Sequence, residues 1–278
     1  MSVEPRSWLF VPADSEKKIT KALDSEADAI IFDLEDSVAP GQKAAARAIL
    51  KDLPSRSGGP AWWVRINPIG SEHHKEDLTL LARPDFAGIV LPKAESGADI
   101  KELAHRTGNV PIHAIVTETA ASLFGLLSYR DPGSPLVAMS WGAEDLSAAL
   151  GAVSNTDDNG ELSFTYRMAR SLCLAGATAA GVQPVDGVFA DFKDDKGLAK
   201  ESAAARREGF TGKLAIHPAQ VAVINAAFTP SAEDVNHAEA IVAAFEAQPD
   251  AGVLSVGGKM VDRPHLVQAK RVLERASR

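Results

Sequence analysis

Asp28-Ala-Ile-Ile-Phe-Asp-Leu-Glu-Asp36 is an apolar run of β type that ends in three carboxylates, Asp33, Glu35 and Asp36. The design returns twice further along. Pro111-Ile-His-Ala-Ile-Val-Thr-Glu118 closes on Glu118, and Leu136-Val-Ala-Met-Ser-Trp141 leads through Gly142 to Glu144 and Asp145. Carboxylates gathered at one end of a parallel sheet repel one another unless a cation or a proton neutralises them. The pattern therefore predicts a parallel sheet with a metal at its carboxyl edge.

Working outward, strand-like and helical runs alternate along the chain. Strands are expected at Ser7–Val11, Asp28–Asp33, Ala61–Ile66, Gly88–Leu91, in the Ile112 and Leu136 runs, at Val185–Phe189 and at Lys213–Ile216. Helices are expected between them, for example over Ser15–Ser25, Gly41–Leu53, Thr165–Ala180 and Gly197–Glu208. Such alternation implies parallel crossover units. Eight of them imply a closed α/β barrel, the (β/α)8 or TIM barrel, which needs roughly 250 residues. An open doubly wound sheet is the alternative, but no Gly-x-Gly-x-x-Gly turn follows the first strand.

Beyond Pro218 the pattern becomes helical, over Val221–Ala227, Ser231–Ala247 and Pro264–Arg275, with a short apolar piece at Gly252–Val256. The reading is a barrel domain over residues 1–228 and a C-terminal helical extension over 229–278, packed on the barrel or on a neighbouring subunit.

With 278 residues, 45% hydrophobic and 24% charged, the chain can bury a large core. A net charge of −8 without a basic run excludes a nucleic-acid partner. No apolar stretch is long enough to span a bilayer and no signal pattern opens the chain, so no membrane association and a cytoplasmic location are expected. Cys173, within an apolar helical pattern, reads as a small core residue.

Active sites of such barrels lie at the carboxyl ends of the strands. There the sequence puts Pro12 and Asp14, Asp33, Glu35 and Asp36, Arg65 and Asn67, Lys93 and Glu95, Glu118, Asp145, Asp191 and His217. Asp14, Glu95 and Asp191 read as helix-capping or first-turn residues. Glu118 and Asp145 read as metal ligands. Two carboxylates without a His or Cys pattern suit Mg²⁺, which keeps waters and leaves positions for a substrate. His73-His74, in a polar loop, reads as solvated surface.

Arg65, inside Trp62-Trp-Val-Arg-Ile-Asn67, needs an anion to be tolerated at a strand end. It can pair with Asp33 or Asp36, face a substrate carboxylate or developing alkoxide, or do both. Asn67 and Lys93 are further candidate substrate contacts. For Lys93 a Schiff-base role is conceivable chemically, but neighbouring carboxylates would keep it protonated.

Arg6-Ser-Trp-Leu-Phe-Val-Pro12, Asp28–Val38, Val64-Arg-Ile-Asn-Pro68, Val90-Leu-Pro-Lys93, Glu118-Thr119, Gly142-Ala-Glu-Asp-Leu146, Ala215-Ile-His-Pro218 and Gly258–Pro264 occur in order over nearly the whole chain. Together they resemble the citrate lyase β-subunit-like (CitE-like) CoA-ester lyases of the HpcH/HpaI aldolase superfamily. The resemblance implies a (β/α)8 barrel and Mg²⁺-dependent cleavage or formation of a carbon–carbon bond. Substrates would be malyl-CoA, citramalyl-CoA or a citryl thioester, related to a 2-oxo acid plus an acyl-CoA. It implies Glu118 and Asp145 as metal ligands, Arg65 as the strand-three arginine and Asp262 as an acid/base entering a neighbouring subunit's site. Glu35 and Asp36 would position Arg65 or metal-bound waters, and the assembly would be a homotrimer or hexamer. A malyl-CoA thioesterase, a metal-dependent aldolase acting without CoA, and a non-catalytic subunit binding a 2-oxo acid remain the alternatives.

Overall fold

The computed structural model describes residues 4–131 and 133–277. In chain order the first half runs β1 (Ser7–Pro12), α1 (Glu16–Leu23), β2 (Ala29–Asp33), α2 (Lys43–Asp52), β3 (Ala61–Arg65), α3 (His74–Asp77), β4 (Phe86–Ala94), α4 (Gly97–Thr107) and β5 (Ile112–Val116). Then follow α5 (Ser122–Gly125), β6 (Leu136–Trp141), α6 (Ala143–Leu150), α7 (Phe164–Ala180), β7 (Gln183–Asp186), α8 (Asp195–Glu208), β8 (Gly212–Ala215) and α9 (Gln220–Phe228). The chain continues with α10 (Ala232–Ala247), β9 (Val253–Val256), β10 (Lys259–Asp262) and α11 (Arg263–Ala276). β1 to β8 form a closed parallel barrel, sealed by pairing of β1 with β8 from Ser7↔Lys213 to Leu9↔Ala215. The expected barrel is what forms, and the open sheet is excluded.

Every residue of β2 and of β5 is buried, because a parallel strand is covered by the lumen on one face and by helices on the other. One alternate set of side chains fills the lumen as a single cluster: Trp8, Ala29, Ile31, Trp63, Val90, Ile115, Ala138, Val185 and Leu214. Trp8 meets Trp63 edge-on at 5.0 Å and the His113 ring at 4.6 Å between centroids. His113 is fully buried, with Nε2 against Ser140 Oγ at 2.9 Å, and burial pushes its pKa down to about 3. It is neutral at physiological pH. The other set packs outward, where Phe32 lies edge-on to Trp62 and Phe86. Full burial of such side chains contributes about 1.5–3 kcal/mol each.

Outside the lumen an ionic staple ties β6, β7 and β8 to the helices. Asp186 accepts from Trp141 Nε1 at 2.8 Å, Arg170 Nε at 2.8 Å and Lys213 Nζ at 3.0 Å. Lys213 is fully buried and donates also to Glu201 at 2.7 Å. Burial alone would raise the Asp186 pKa, but Lys213 and Arg170 overcome it and hold the group down at about 2. Nearby, Cys173 is buried and free, as expected, and burial raises its thiol pKa.

The chain divides into two compact units, Glu4–Asn225 and a second that begins at Ala226, so the boundary falls within α9. In the second unit α10 and α11 bury Ala238, Ile241, Phe245, Val261 and Ala269. β9 and β10 pair there as an antiparallel hairpin. The strand at β10 was not anticipated. The hairpin turns on Gly257-Gly258, at φ 57° and 78°, a left-handed conformation that glycine adopts without steric cost. Among the described residues no helix is long and apolar enough to cross a membrane.

Replacing Asp186 removes the buried carboxylate shared by Lys213 and Arg170 and leaves them only their more exposed partners, Glu201 and Glu208. Asp186→Asn is expected to cost about 3–5 kcal/mol in denaturant unfolding at neutral pH. Its folded pKa lies below the ordinary value of 3.8. The wild-type contribution is therefore present above about pH 4 and fades as pH falls toward 2, so the gap between wild type and variant closes over that window. A loss below about 1 kcal/mol at neutral pH would contradict the staple.

Candidate active site

The strand ends collect the charged residues at one mouth of the barrel. Asp33 and Arg65 are the last residues of β2 and β3 and stand opposite each other in register. Arg65 grips Asp33 with both arms of its fork, Nε to Oδ1 and Nη2 to Oδ2, each at 2.7 Å. Its third nitrogen, Nη1, faces Glu35 Oε2 at 2.9 Å as an ion pair without the alignment of a hydrogen bond, and Asp36 is at 4.0 Å. The guanidinium also lies over the Phe10 ring, 4.8 Å from its centroid. Burial opposes the charge on Arg65, but Asp33 and Glu35 more than restore it and raise its pKa. Asp33 would be raised by burial; Arg65 and the N–H groups of Ser37 and Glu35 hold it below the ordinary range instead.

Lys93 is the second cation. It sits near the end of β4 at φ 52°, in the left-handed region that a residue with a Cβ rarely adopts. Its backbone N–H donates to Glu118 Oε2 at 2.5 Å. Its ammonium donates to Glu35 Oε1, and lies 3.1 Å from Asp145 Oδ1 and 3.6 Å from Asp36 Oδ2. The neighbouring Thr117, at φ 69°, turns the chain after β5 so that Glu118 follows; its buried hydroxyl has no hydrogen-bond partner.

Glu118 is almost fully buried. Burial, joined by the negative charge of Asp145, pushes its carboxyl pKa up to about 8 despite the bond from the Lys93 N–H. Asp145 lies in the first turn of α6 and is partly exposed. Gly142, which N-caps α6, gives Glu118 its room. A Cβ there would stand 2.9 Å from Glu118 Cγ and 3.0 Å from Oε1, closer than real Cβ atoms approach.

Other expected members stand elsewhere. Asn67 is buried and donates to Leu34 O at 3.0 Å and Asp77 Oδ2 at 2.7 Å, so both amide hydrogens are committed to the scaffold. His74 is not solvated surface: it is buried with Nδ1 2.8 Å from Asn67 O, while His73 stays partly exposed. Asp14 and Glu95 do not cap α1 and α4; the adjacent Ser15 and Ser96 do. Glu95 instead accepts from Thr119 Oγ1 at 2.7 Å. Asp194, not Asp191, caps α8, and Asp191 accepts from Lys193 N in a tight turn. His217 stacks on Phe192 at 4.7 Å between ring centroids. Asp262 belongs to the C-terminal unit and N-caps α11. Its Oδ1 lies 2.5 Å from His265 Nδ1, a bond that lowers the Asp262 pKa.

Among the described residues no three His, Cys, Asp or Glu side chains form a complete metal cage. The mouth fits a cation that needs few protein ligands. Among the described residues the cations paired with Asp33, Glu35, Asp36, Glu118 and Asp145 are Arg65 and Lys93, so negative charge is in excess. The Glu118 carboxyl, raised chiefly by burial and further by Asp145 and Glu35, is where a divalent ion would relieve most. A cavity of about 590 Å³ in the C-terminal unit, with His237, Lys259 and His265 in its lining, is lined by none of these residues.

Residues 6–218 match the family model described as HpcH/HpaI aldolase/citrate lyase. A (3S)-malyl-CoA thioesterase of Cereibacter sphaeroides is 37% identical over 277 residues, covering 98% of this chain and 94% of the relative. The mitochondrial citramalyl-CoA lyase of Mus musculus is 35% identical over 301 residues, covering 99% and 87%. The crystal structure of protein CitE from Mycobacterium tuberculosis in complex with magnesium, acetoacetate and coenzyme A is 37% identical. It superposes with a TM-score of 0.85 over 100% of this chain and 99% of that one. With its closed eight-stranded barrel and these relatives matched over nearly their whole length, the chain belongs to the HpcH/HpaI aldolase/citrate lyase family.

Proposed function

We propose that the chain is a Mg²⁺-dependent carbon–carbon lyase that interconverts a 3-hydroxyacyl-CoA with a 2-oxo acid and an acyl-CoA. The observation that carries this reading is the placement of Glu118 and Asp145 on either side of Lys93, at a mouth with excess negative charge. The similar citramalyl-CoA lyase and the CitE complex with magnesium, acetoacetate and coenzyme A support it. Glu118 and Asp145 would hold Mg²⁺, which supplies Lewis acidity to an oxygen of the reacting ligand when bound.

The chain's own residues then divide the work. Arg65 adds a fixed positive charge at a mouth that is largely buried, where charge acts more strongly than in water. Much of that charge is spent on Asp33 and Glu35. Arg65 therefore serves first to hold the β2 carboxylates in place, and its remaining field favours a developing alkoxide. Glu35 and Asp36 keep Arg65 and Lys93 in register.

In the condensation direction, the Asp262 carboxylate of a neighbouring copy takes a proton from the carbon next to the thioester carbonyl. The resulting enolate carbon attacks the carbonyl carbon of the 2-oxo acid and forms the new bond. The carbonyl π electrons move to oxygen, which takes a proton from solvent and becomes the hydroxyl, while Asp262 releases to solvent the proton it took from carbon. The lowered pKa keeps Asp262 ionised at neutral pH, the form that can accept a proton, while making it a weaker base. Cleavage reverses each step; sharing of Asp262 between copies calls for an oligomer, and the family resemblance implies a homotrimer or hexamer.

A thioesterase is the second reading, favoured by similarity to the malyl-CoA thioesterase. A screen of malyl-, citramalyl- and citryl-CoA, and of acyl-CoAs with glyoxylate, pyruvate or oxaloacetate, separates the two by mass. The lyase reading expects a 2-oxo acid and an acyl-CoA only when Mg²⁺ is supplied. Hydroxy acid with free CoA, and no 2-oxo acid, would favour hydrolysis instead.

Glu118→Ala and Asp145→Ala should each bring Mg²⁺-dependent turnover to background with the circular dichroism spectrum unchanged; full activity in either after chelation and dialysis would remove these ligands. Asp262→Asn should slow exchange of the acyl-CoA α-protons with solvent by about 10²–10⁴-fold while 2-oxo acid binding persists. Unchanged exchange would take Asp262 out of the chemistry.

A further inference from the structure

Lys93 touches both candidate metal ligands, with different parts of itself. The backbone N–H holds Glu118 Oε2 at 2.5 Å, and the ammonium holds Asp145 Oδ1 at 3.1 Å together with Glu35 Oε1. The residue that makes both contacts has a left-handed backbone, at φ 52°. Such conformations persist where the surroundings enforce them, and they cluster at functional sites. The ammonium has three hydrogens, and its surroundings offer the carboxylates of Glu35, Asp145 and, at 3.6 Å, Asp36. Its donors are thus directed at the protein's own anions, which argues against a free amine or a primary contact to substrate.

We propose that Lys93 is a positioning residue for the cation site: its backbone N–H aims Glu118, and its ammonium is a tethered counter-charge that competes with the divalent ion for Asp145. The inference rests on the proposed Mg²⁺ site and deepens it. Two cations cannot both sit close to one carboxylate without repelling each other. Binding of the ion must therefore push the ammonium away from Asp145, toward Glu35 and Asp36. Affinity is lowered by that competition, and the carboxylates stay assembled whether or not the ion is bound.

The side chain and the backbone contact can be separated, because a substitution at 93 keeps the N–H to Glu118. Metal-stripped full-length wild type, Lys93→Met and Lys93→Arg are titrated with Mn²⁺, reading free ion by electron paramagnetic resonance, with Mg²⁺ as competitor. Thermal unfolding is followed with and without Mg²⁺. Lys93→Met is expected to bind Mn²⁺ about tenfold more tightly than wild type. Its metal-free form should melt lower, with Mg²⁺ restoring more of the midpoint than it does in wild type. Lys93→Arg, which keeps the charge, should stay within about twofold of wild type. Lys93→Gln carries the same expectation as Lys93→Met and keeps the measurement available should the methionine variant not fold. Unchanged or weaker Mn²⁺ binding on loss of the charge would overturn the counter-charge alone. Absence of Mn²⁺ binding by wild type would overturn the metal site and this inference together.

Discussion

Like charges at close quarters govern this molecule. A parallel barrel brings the carboxyl ends of all its strands to one mouth, and this chain puts Asp or Glu at or just past several of them. The arrangement is tolerable because β2 and β3 pair in register with Asp33 opposite Arg65, so the closest anion meets a two-pronged guanidinium. One strand further on, Lys93 joins Glu35 to Asp145. The two cations do not balance the five carboxyl groups around them, and Glu118, the more deeply buried of the two proposed ligands, is raised by burial and by its acidic neighbours. The proposed chemistry rests on that imbalance.

The rest of the barrel makes such a mouth affordable. Its lumen is packed with aromatic and branched side chains and keeps His113 neutral. Its outer face is locked by Asp186 between Lys213 and Arg170. Against that support stand local costs at the site: two non-glycine residues at positive φ, Lys93 and Thr117, and an unpartnered buried hydroxyl on Thr117. Each strained residue costs about 1–3 kcal/mol. Both flank Glu118, on the strand before it and in the residue before it, so the cost is concentrated where one carboxylate must be aimed.

The barrel was legible because its signal is local. Strands buried on both faces read as short apolar runs, and helices between them leave few alternatives for the topology. The charged cluster was legible for the same reason, since residues just past strand ends share one mouth. What escaped depended on partners distant in sequence or on neighbours of equal merit. His74 looked solvated because nothing nearby shows that Asn67 accepts its ring and draws it inside. Asp14 and Glu95 were plausible caps, but the adjacent Ser15 and Ser96 took those positions, as short hydroxyl side chains do well. β10 was missed because Lys259–Asp262 is only four residues long and is a strand by pairing with β9. The bridge made by Lys93 needs a backbone conformation that lysine does not announce.

The account stands on one ion shared by two side chains. Crystals grown with Mn²⁺ and measured at a wavelength that reveals its anomalous scattering test this most directly. The account predicts a single strong peak within about 2.0–2.6 Å of a carboxylate oxygen of Glu118 and of Asp145. A peak seated elsewhere, or well-ordered carboxylates turned away from each other with no peak between them, would contradict it.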